Sequence, residues 1–143
     1  MNVLILFETQ TGTTQYVAET VAKELTTAGH TVKLHSLKYD GKQLDFAQYQ
    51  LVLIGAPTYD DGLLEVTMRQ YIRENKPDFR TQKVAVFGLG DSSYPQFCTA
   101  ARFLETWVKT CGGRPLIPTL KVDGFPDDLS PILAWTRELI TTL

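Results

Sequence analysis

Apolar positions along this chain follow two alternating rhythms. Val3-Leu4-Ile5-Leu6-Phe7 is an uninterrupted apolar run of the kind a strand buried on both faces requires. Val17, Ala18, Val21, Ala22 and Leu25 then recur at helical spacing. The alternation continues to the end. Further strands are predicted at Thr31 to Leu37, Leu51 to Gly55, Lys83 to Phe87 and Leu116 to Val122. Helices are predicted at Leu64 to Glu74, Pro95 to Cys111 and Asp127 to Leu143. The first of these would turn Val66, Met68, Tyr71 and Ile72 inward. The second would bury Phe97, Ala100, Ala101, Leu104, Trp107, Val108 and Cys111, and the third Leu129, Ile132, Leu133, Thr136, Leu139 and Ile140. Gly29 and Gly112-Gly113 are helix stops, and Pro131 falls in a first turn, where a missing N–H does little harm. The polar stretch from Tyr39 to Tyr49 reads as irregular, with room for a short helical turn.

Five β-α units in this order predict an α/β fold: a doubly wound five-stranded parallel sheet with helices on both faces. The 143 residues suit a single domain spanning 1–143. A net charge of −2 argues against nucleic acid as a partner. No apolar run approaches the roughly 20 residues a membrane span needs. No charged-then-apolar leader precedes the first strand, so a cytoplasmic protein is expected. Cys98 and Cys111 lack CxxC spacing and read as buried free thiols in a helical pattern. His30 and His35 are isolated and read as surface positions flanking a strand, not as metal ligands.

Candidate chemistry concentrates in three loops that leave strand carboxyl ends, where ligands of doubly wound sheets bind. The first is Thr9-Gln10-Thr11-Gly12-Thr13-Thr14, placed at a helix N-terminus. Unpaired backbone N–H groups, the helix dipole and the hydroxyls favour an anion there, and Gly12 allows close approach. No lysine or arginine is present and the Gly-Lys-Ser/Thr ending is missing, so the loop suits a phosphate held by neutral donors rather than a nucleoside triphosphate. Taken alone, it reads more readily as only a helix cap, and the two later loops change that balance. The second loop, Ala56-Pro57-Thr58-Tyr59-Asp60-Asp61-Gly62, and the third, Gly88-Leu89-Gly90-Asp91-Ser92-Ser93-Tyr94-Pro95, each place a tyrosine among turn residues. Two such rings could sandwich a flat heterocycle whose phosphate the first loop holds. Asp91, Ser92 and Ser93 would either cap the next helix or meet the heterocycle's polar edge. Gly88-x-Gly90 lacks the third glycine of a dinucleotide fingerprint. A phosphorylation-receiver domain would need an aspartate ending strand three, where Gly55-Ala56-Pro57 stands.

These three motifs, the third running on to Phe97-Cys98, make the whole chain resemble the flavodoxins, FMN-binding electron carriers, of the short-chain type. The first loop is also similar to the FMN-phosphate loop of diflavin reductases. The resemblance implies strand order 2-1-3-4-5. It implies FMN as cofactor, with Thr9, Gln10, Thr11, Thr13 and Thr14 on its phosphate and Gly12 permitting the approach. Tyr94 would stack on the outer face of the isoalloxazine and Tyr59 would cover the inner face. Gly90, Asp91 and Gln96 would meet the pyrimidine edge, Pro57 and Thr58 would line the ribityl side, and Phe97 and Cys98 complete the motif. Many relatives have glycine where Asp60 stands here, and aspartate enters the left-handed region less freely, restricting a backbone flip beside the flavin.

The implied function is that of a low-potential one-electron carrier, monomeric, meeting a reductase donor and acceptor redox proteins in transient complexes. Glu8, Asp60, Asp61, Glu65, Asp91, Asp123, Asp127 and Asp128 lie in or beside loops at the strand ends. As an acidic rim they would resist added negative charge on the cofactor and attract basic partners; the plainer reading is that they keep a surface soluble. The rival class is an FMN-dependent quinone or flavin reductase, which needs room beside the ring for a second substrate. A module that kept the fold without the flavin is a further alternative, against which the intact phosphate loop argues.

Overall fold

In β1 (Asn2–Phe7), Val3, Ile5 and Phe7 pack into one apolar layer while Leu4 and Leu6 pack into another. The strand is therefore covered on both faces, as its continuous apolar run demands. The same division recurs in β3 (Leu51–Pro57), with Leu51 and Leu53 on one side and Val52, Ile54 and Ala56 on the other. It recurs again in β4 (Lys83–Gly90), where Ala85, Phe87 and Leu89 oppose Val84 and Val86. With β2 (Thr31–Ser36) and β5 (Leu120–Asp123) these strands form a parallel sheet of order β2-β1-β3-β4-β5. The computed structural model describes residues 1–59, 62–95 and 97–143.

Helices α1 (Thr13–Thr27) and α5 (Ser130–Thr141) cover one face, through Val17, Val21 and Leu25 from the first and Ile132, Trp135 and Leu139 from the second. Helices α3 (Val66–Glu74) and α4 (Thr99–Thr110) cover the other, through Met68, Tyr71, Leu104, Trp107 and Val108. A short α2 (Leu37–Asp40) and a single tight turn at Phe46–Gln48 occupy the stretch expected to be irregular. Because β1 feeds α1 on one face and β3 feeds α3 on the other, the two loops leaving these adjacent strands diverge. A crevice opens between them.

Several boundaries differ from expectation, each for a local reason. Helix α4 starts at Thr99, not Pro95, because Cys98 adopts φ 54°, a left-handed conformation that blocks backward extension. Cys98 thus lies before the helix rather than within it, though both thiols are free and buried as expected. Phe97 is only half-buried. Helix α5 starts at Ser130, whose N–H donates to the Asp128 carboxylate and turns the chain just before Pro131. Strand pairing in β5 begins at Leu120, because Pro115 and Pro118 have no N–H to contribute. Val66 is exposed rather than inward. His35 is buried, not on the surface, its Nε2 donating to the Gly41 carbonyl at 2.7 Å.

Gly88 fixes how closely α4 approaches the sheet. A Cβ there would lie 2.8 Å from Ala101 Cβ and 3.0 Å from the Ala101 backbone N, so no rotamer change can make room. Gly88→Ala is expected to lower the unfolding free energy by about 1–3 kcal/mol, the usual cost of overpacking. Urea denaturation measures it, and an unchanged midpoint would show that α4 moves freely.

Candidate functional site

The carboxyl ends of β1, β3, β4 and β5 meet around a cleft of about 340 Å³, within the size range of small-ligand sites. Its wall is built from the three loops singled out in the sequence: Thr9, Gln10, Thr11, Thr13 and Thr14; Pro57, Thr58 and Tyr59; and Gly90, Asp91 and Tyr94. Gly12 adopts φ 94° to turn the chain into α1 and donates its N–H to Thr9 Oγ1 at 2.9 Å. It shapes the loop rather than lining the cleft. Phe97 and Cys98 do not line the cleft either, and Cys98 packs behind Gly90, where an added Cβ would lie 2.7 Å from its backbone N. Asp60, Asp61 and Gln96 lie outside the described residues.

The hydroxyl loop presents the positive end of α1. The N–H groups of a helix's first turn lack intrahelical partners, so they face whatever occupies the cleft. Thr14 Oγ1 is buried and has no hydrogen-bond partner among the described residues. A buried hydroxyl without a partner is costly, and the cleft it borders is where a partner would sit.

The two tyrosines differ in exposure. Tyr94 is 44 % exposed at the tip of a turn closed by its own N–H donating to the Asp91 carbonyl at 3.1 Å. Asp91 accepts from the Ser93 N–H and hydroxyl, which holds its carboxyl below the ordinary value. Ser92 donates to Asp123 through N–H (2.9 Å) and hydroxyl (2.5 Å), so this loop is tied to the end of β5. Tyr59 is half-buried, and its hydroxyl accepts from the Val66 N–H at 3.3 Å. Thr58 Oγ1 accepts from the Ala100 N–H at 2.9 Å, anchoring the loop after β3 to α4.

A fourth loop, after β5, also reaches the cleft. Gly124 donates its N–H to the Gly90 carbonyl at 2.8 Å, and Phe125 lies parallel to Tyr16, with centroids 5.4 Å apart. Both line the cleft together with Leu89; Gly124 and Phe125 were not anticipated, and Leu89 was expected only as part of the third loop, with no role of its own. The position of Asp123-Gly124-Phe125 directly after a strand's carboxyl end was the available signal. The Phe125–Tyr16 contact itself joins residues too far apart in sequence to be read there.

Two acidic residues expected on the rim are buried instead. Glu8 continues the β1–β3 ladder, its N–H donating to the Gly55 carbonyl at 3.2 Å. Its carboxylate accepts from the Ser36 hydroxyl at 2.6 Å and the Lys38 N–H at 3.3 Å, tying β1 to the turn after β2. Glu65 caps α3 by accepting the Met68 N–H at 2.8 Å. Burial, reinforced by the nearby Glu8 carboxylate, pushes the Glu65 carboxyl up from its ordinary value despite that hydrogen bond. Asp91, Asp123, Asp127 and Asp128 are exposed, so a smaller acidic rim remains.

Comparison with known proteins agrees with this geometry. The Flavodoxin family model matches residues 5–135. A flavodoxin from Nitratidesulfovibrio vulgaris is 33 % identical over 149 aligned residues, covering 99 % of each chain. Among solved structures, oxidised Flavodoxin 2 from Bacillus cereus superposes with a TM-score of 0.91 at 24 % identity, covering 100 % of both chains. A Fusobacterium nucleatum flavodoxin bound to flavin mononucleotide superposes with a TM-score of 0.81 at 20 % identity, over 99 % of this chain and 98 % of that one.

Two consequences are measurable on the ligand-free protein. Thr14→Val removes a hydroxyl that no partner satisfies and keeps the side chain's shape. Urea unfolding should therefore show a gain of about 1 kcal/mol, whereas a loss of that size would mean the hydroxyl is already paired. Burial pushes the Cys98 thiol up to about 11, so it is almost wholly neutral at pH 8. Its reaction with an aromatic disulfide reagent should be at least about 100-fold slower in the folded than in the urea-unfolded protein. Equal rates would show that the site behind Gly90 is open.

Proposed function

The chain belongs to the flavodoxin family, and from that premise we propose that it is a low-potential carrier of single electrons that binds FMN non-covalently in this cleft. The observation that carries the reading is that Thr14, whose buried hydroxyl has no partner among the described residues, lines at the N-terminus of α1 a cleft walled by Tyr59 and Tyr94. The residues present fit the group. Uncharged hydroxyls and helix N–H groups suit a phosphate, and aromatic and apolar side chains suit a planar ring. Bound there, FMN supplies one-electron redox chemistry that no protein side chain here offers.

On this reading, Thr9, Gln10, Thr11, Thr13 and Thr14 hold the phosphate, and Gly12 gives the loop its turn. Tyr94 covers the outer face of the ring and Tyr59 the inner face, excluding water from both. The backbone of Gly90 and Asp91 meets the ring's polar edge, while Pro57 and Thr58 flank the ribityl chain. Phe125 adds an aromatic wall on the β5 side. Gln96 is the remaining residue that the family pattern assigns to the ring's polar edge, and Asp60 stands where many relatives carry glycine. The exposed carboxylates of Asp91 and Asp123 disfavour additional negative charge in the cleft. At an effective dielectric near 20, one such charge ~8 Å away contributes about 2 kcal/mol.

The protein makes and breaks no substrate bonds in this account. A reductase donor and acceptor redox proteins meet it in short-lived encounters, favoured by opposite charge and weakened by salt. FMN-reconstituted protein should therefore oxidise no reduced nicotinamide until a reductase is added. Direct oxidation of NADPH with a quinone present would favour an enzyme instead. Tyr94→Ala should weaken FMN binding by about 1–3 kcal/mol through lost stacking, by analogy with base–aromatic contacts. Quenching of flavin fluorescence measures this, and an unchanged dissociation constant would remove Tyr94 from the site.

A further inference from the structure

The outer surface of α3 and α4 carries a groove that no part of the electron-carrier reading uses. Its volume is about 760 Å³, more than twice the 340 Å³ of the cleft. Leu64, Ile72 and Trp107 line it, with Leu63 at 39 % exposure and Phe103 at 46 % beside them. Arg69 and Arg73 from α3 and Arg102 from α4 complete the lining. Arg69 and Arg73 are four residues apart, so their side chains are neighbours one helical turn apart.

Among the described residues these guanidinium groups make no ion pair. Among the described residues the ion pairs are Arg80–Asp78 and Arg137–Glu24, and neither involves the groove. Among the described residues, the glutamates of the two helices and at the start of α3 are engaged elsewhere. Glu65 accepts from the Met68 N–H, Glu74 from Gln70 Nε2, and Glu105 from the Thr119 hydroxyl. A chain of net charge −2 thus presents one apolar groove edged by three arginines.

We propose that this groove docks an amphipathic helical segment of a redox partner protein, one that presents acidic residues beside a large apolar side chain. The inference rests on the electron-carrier reading for the kind of partner and extends it to a second contact surface. Charge complementarity selects the occupant. Guanidinium forks left without carboxylates pair bidentately with carboxylates brought by another chain. Aspartates or glutamates spaced four apart on a helix match the Arg69–Arg73 spacing, while an apolar anchor between them meets Ile72 and Trp107. Arginine set around apolar and aromatic groups is also the composition of energetically dominant interface centres.

The loop after β3 contributes to both the groove and the cleft, through Leu63 and Tyr59 respectively. Tyr59 donates its N–H to the Leu63 carbonyl at 2.7 Å, and Thr99 Oγ1 donates to the Gly62 carbonyl at 2.7 Å. The loop that brings Tyr59 to the cleft therefore ends at the groove, where Leu63 and Leu64 line it. The charge preference here is opposite to that of the acidic rim. One encounter face would thus read both signs on a partner and fix its orientation.

Selection of short random peptides displayed on phage tests this, using the FMN-reconstituted wild-type protein as bait and the Arg69→Glu/Arg73→Glu variant as counter-bait. Enriched peptides should combine Asp or Glu at four-residue spacing with Leu, Phe or Trp. As synthetic peptides they should bind about tenfold or more weakly to the variant and shift amide resonances along α3 and α4. Enrichment of basic peptides, indifference to the charge reversal, or no enrichment would overturn the proposal. Equivalent resonance shifts produced by dodecanoate alone would also overturn it, by giving the groove to a small amphiphile. FMN affinity, measured separately by fluorescence, should be the same in the variant and the wild type. A failure of the groove is thereby distinguished from a failure of the cofactor assignment.

Discussion

The cleft depends on one constraint: a parallel sheet places every strand's carboxyl end on the same edge, and the strand order turns back between β1 and β3. The loops after those two strands must leave on opposite faces, so the edge cannot close between them. Into that opening points the N-terminus of α1, with backbone donors that its own helix cannot use. Gly12 at φ 94° makes the turn that sets this up. Everything else at the site is arranged around that positive end. The ties that stiffen the other loops all converge on the same edge: Ser92 to Asp123, Gly124 to Gly90, and Thr58 to the backbone of Ala100.

The frame was legible wherever burial on both faces forced a continuous apolar run. Val3 to Phe7, Leu51 to Gly55 and Lys83 to Phe87 each became a strand that contributes to both apolar layers. The hydroxyl loop and the two tyrosine loops could be read because their residues are local in sequence and chemically unusual for plain turns. What could not be read is non-local. Glu8 looks like a rim carboxylate until Ser36, on a different strand, supplies the hydroxyl that lets it be buried. Val66 has an inward spacing, but Glu65 caps the helix and leaves Val66 exposed. Phe125 reaches the cleft because Tyr16, on α1, offers a parallel ring. The groove between α3 and α4 likewise depends on two helices whose arginines are distant in sequence.

Electrostatics divide the ligand-facing surface into regions of different character. Among the described residues no cationic side chain lines the cleft, so the attraction proposed for an anion there comes from helix N–H groups and hydroxyls at short range. Exposed aspartates around it oppose further negative charge, which suits a carrier that must part with electrons readily. The buried carboxyls of Glu8 and Glu65 belong to the scaffold: one ties β1 to the turn after β2 and the other starts α3. On the α3–α4 surface the sign reverses, and arginines border an apolar floor. The chain's small net charge therefore conceals two local fields of opposite sign.

The central claim is that a phosphate held by neutral donors anchors FMN. Calorimetric titration of the ligand-free protein with FMN and with riboflavin, which carries the same ring and ribityl chain without the phosphate, tests it most directly. Two or more charge-assisted hydrogen bonds to the phosphate should make FMN bind about 100-fold or more tightly. Equal affinity for the two ligands would show that the end of α1 contributes nothing and would contradict the account.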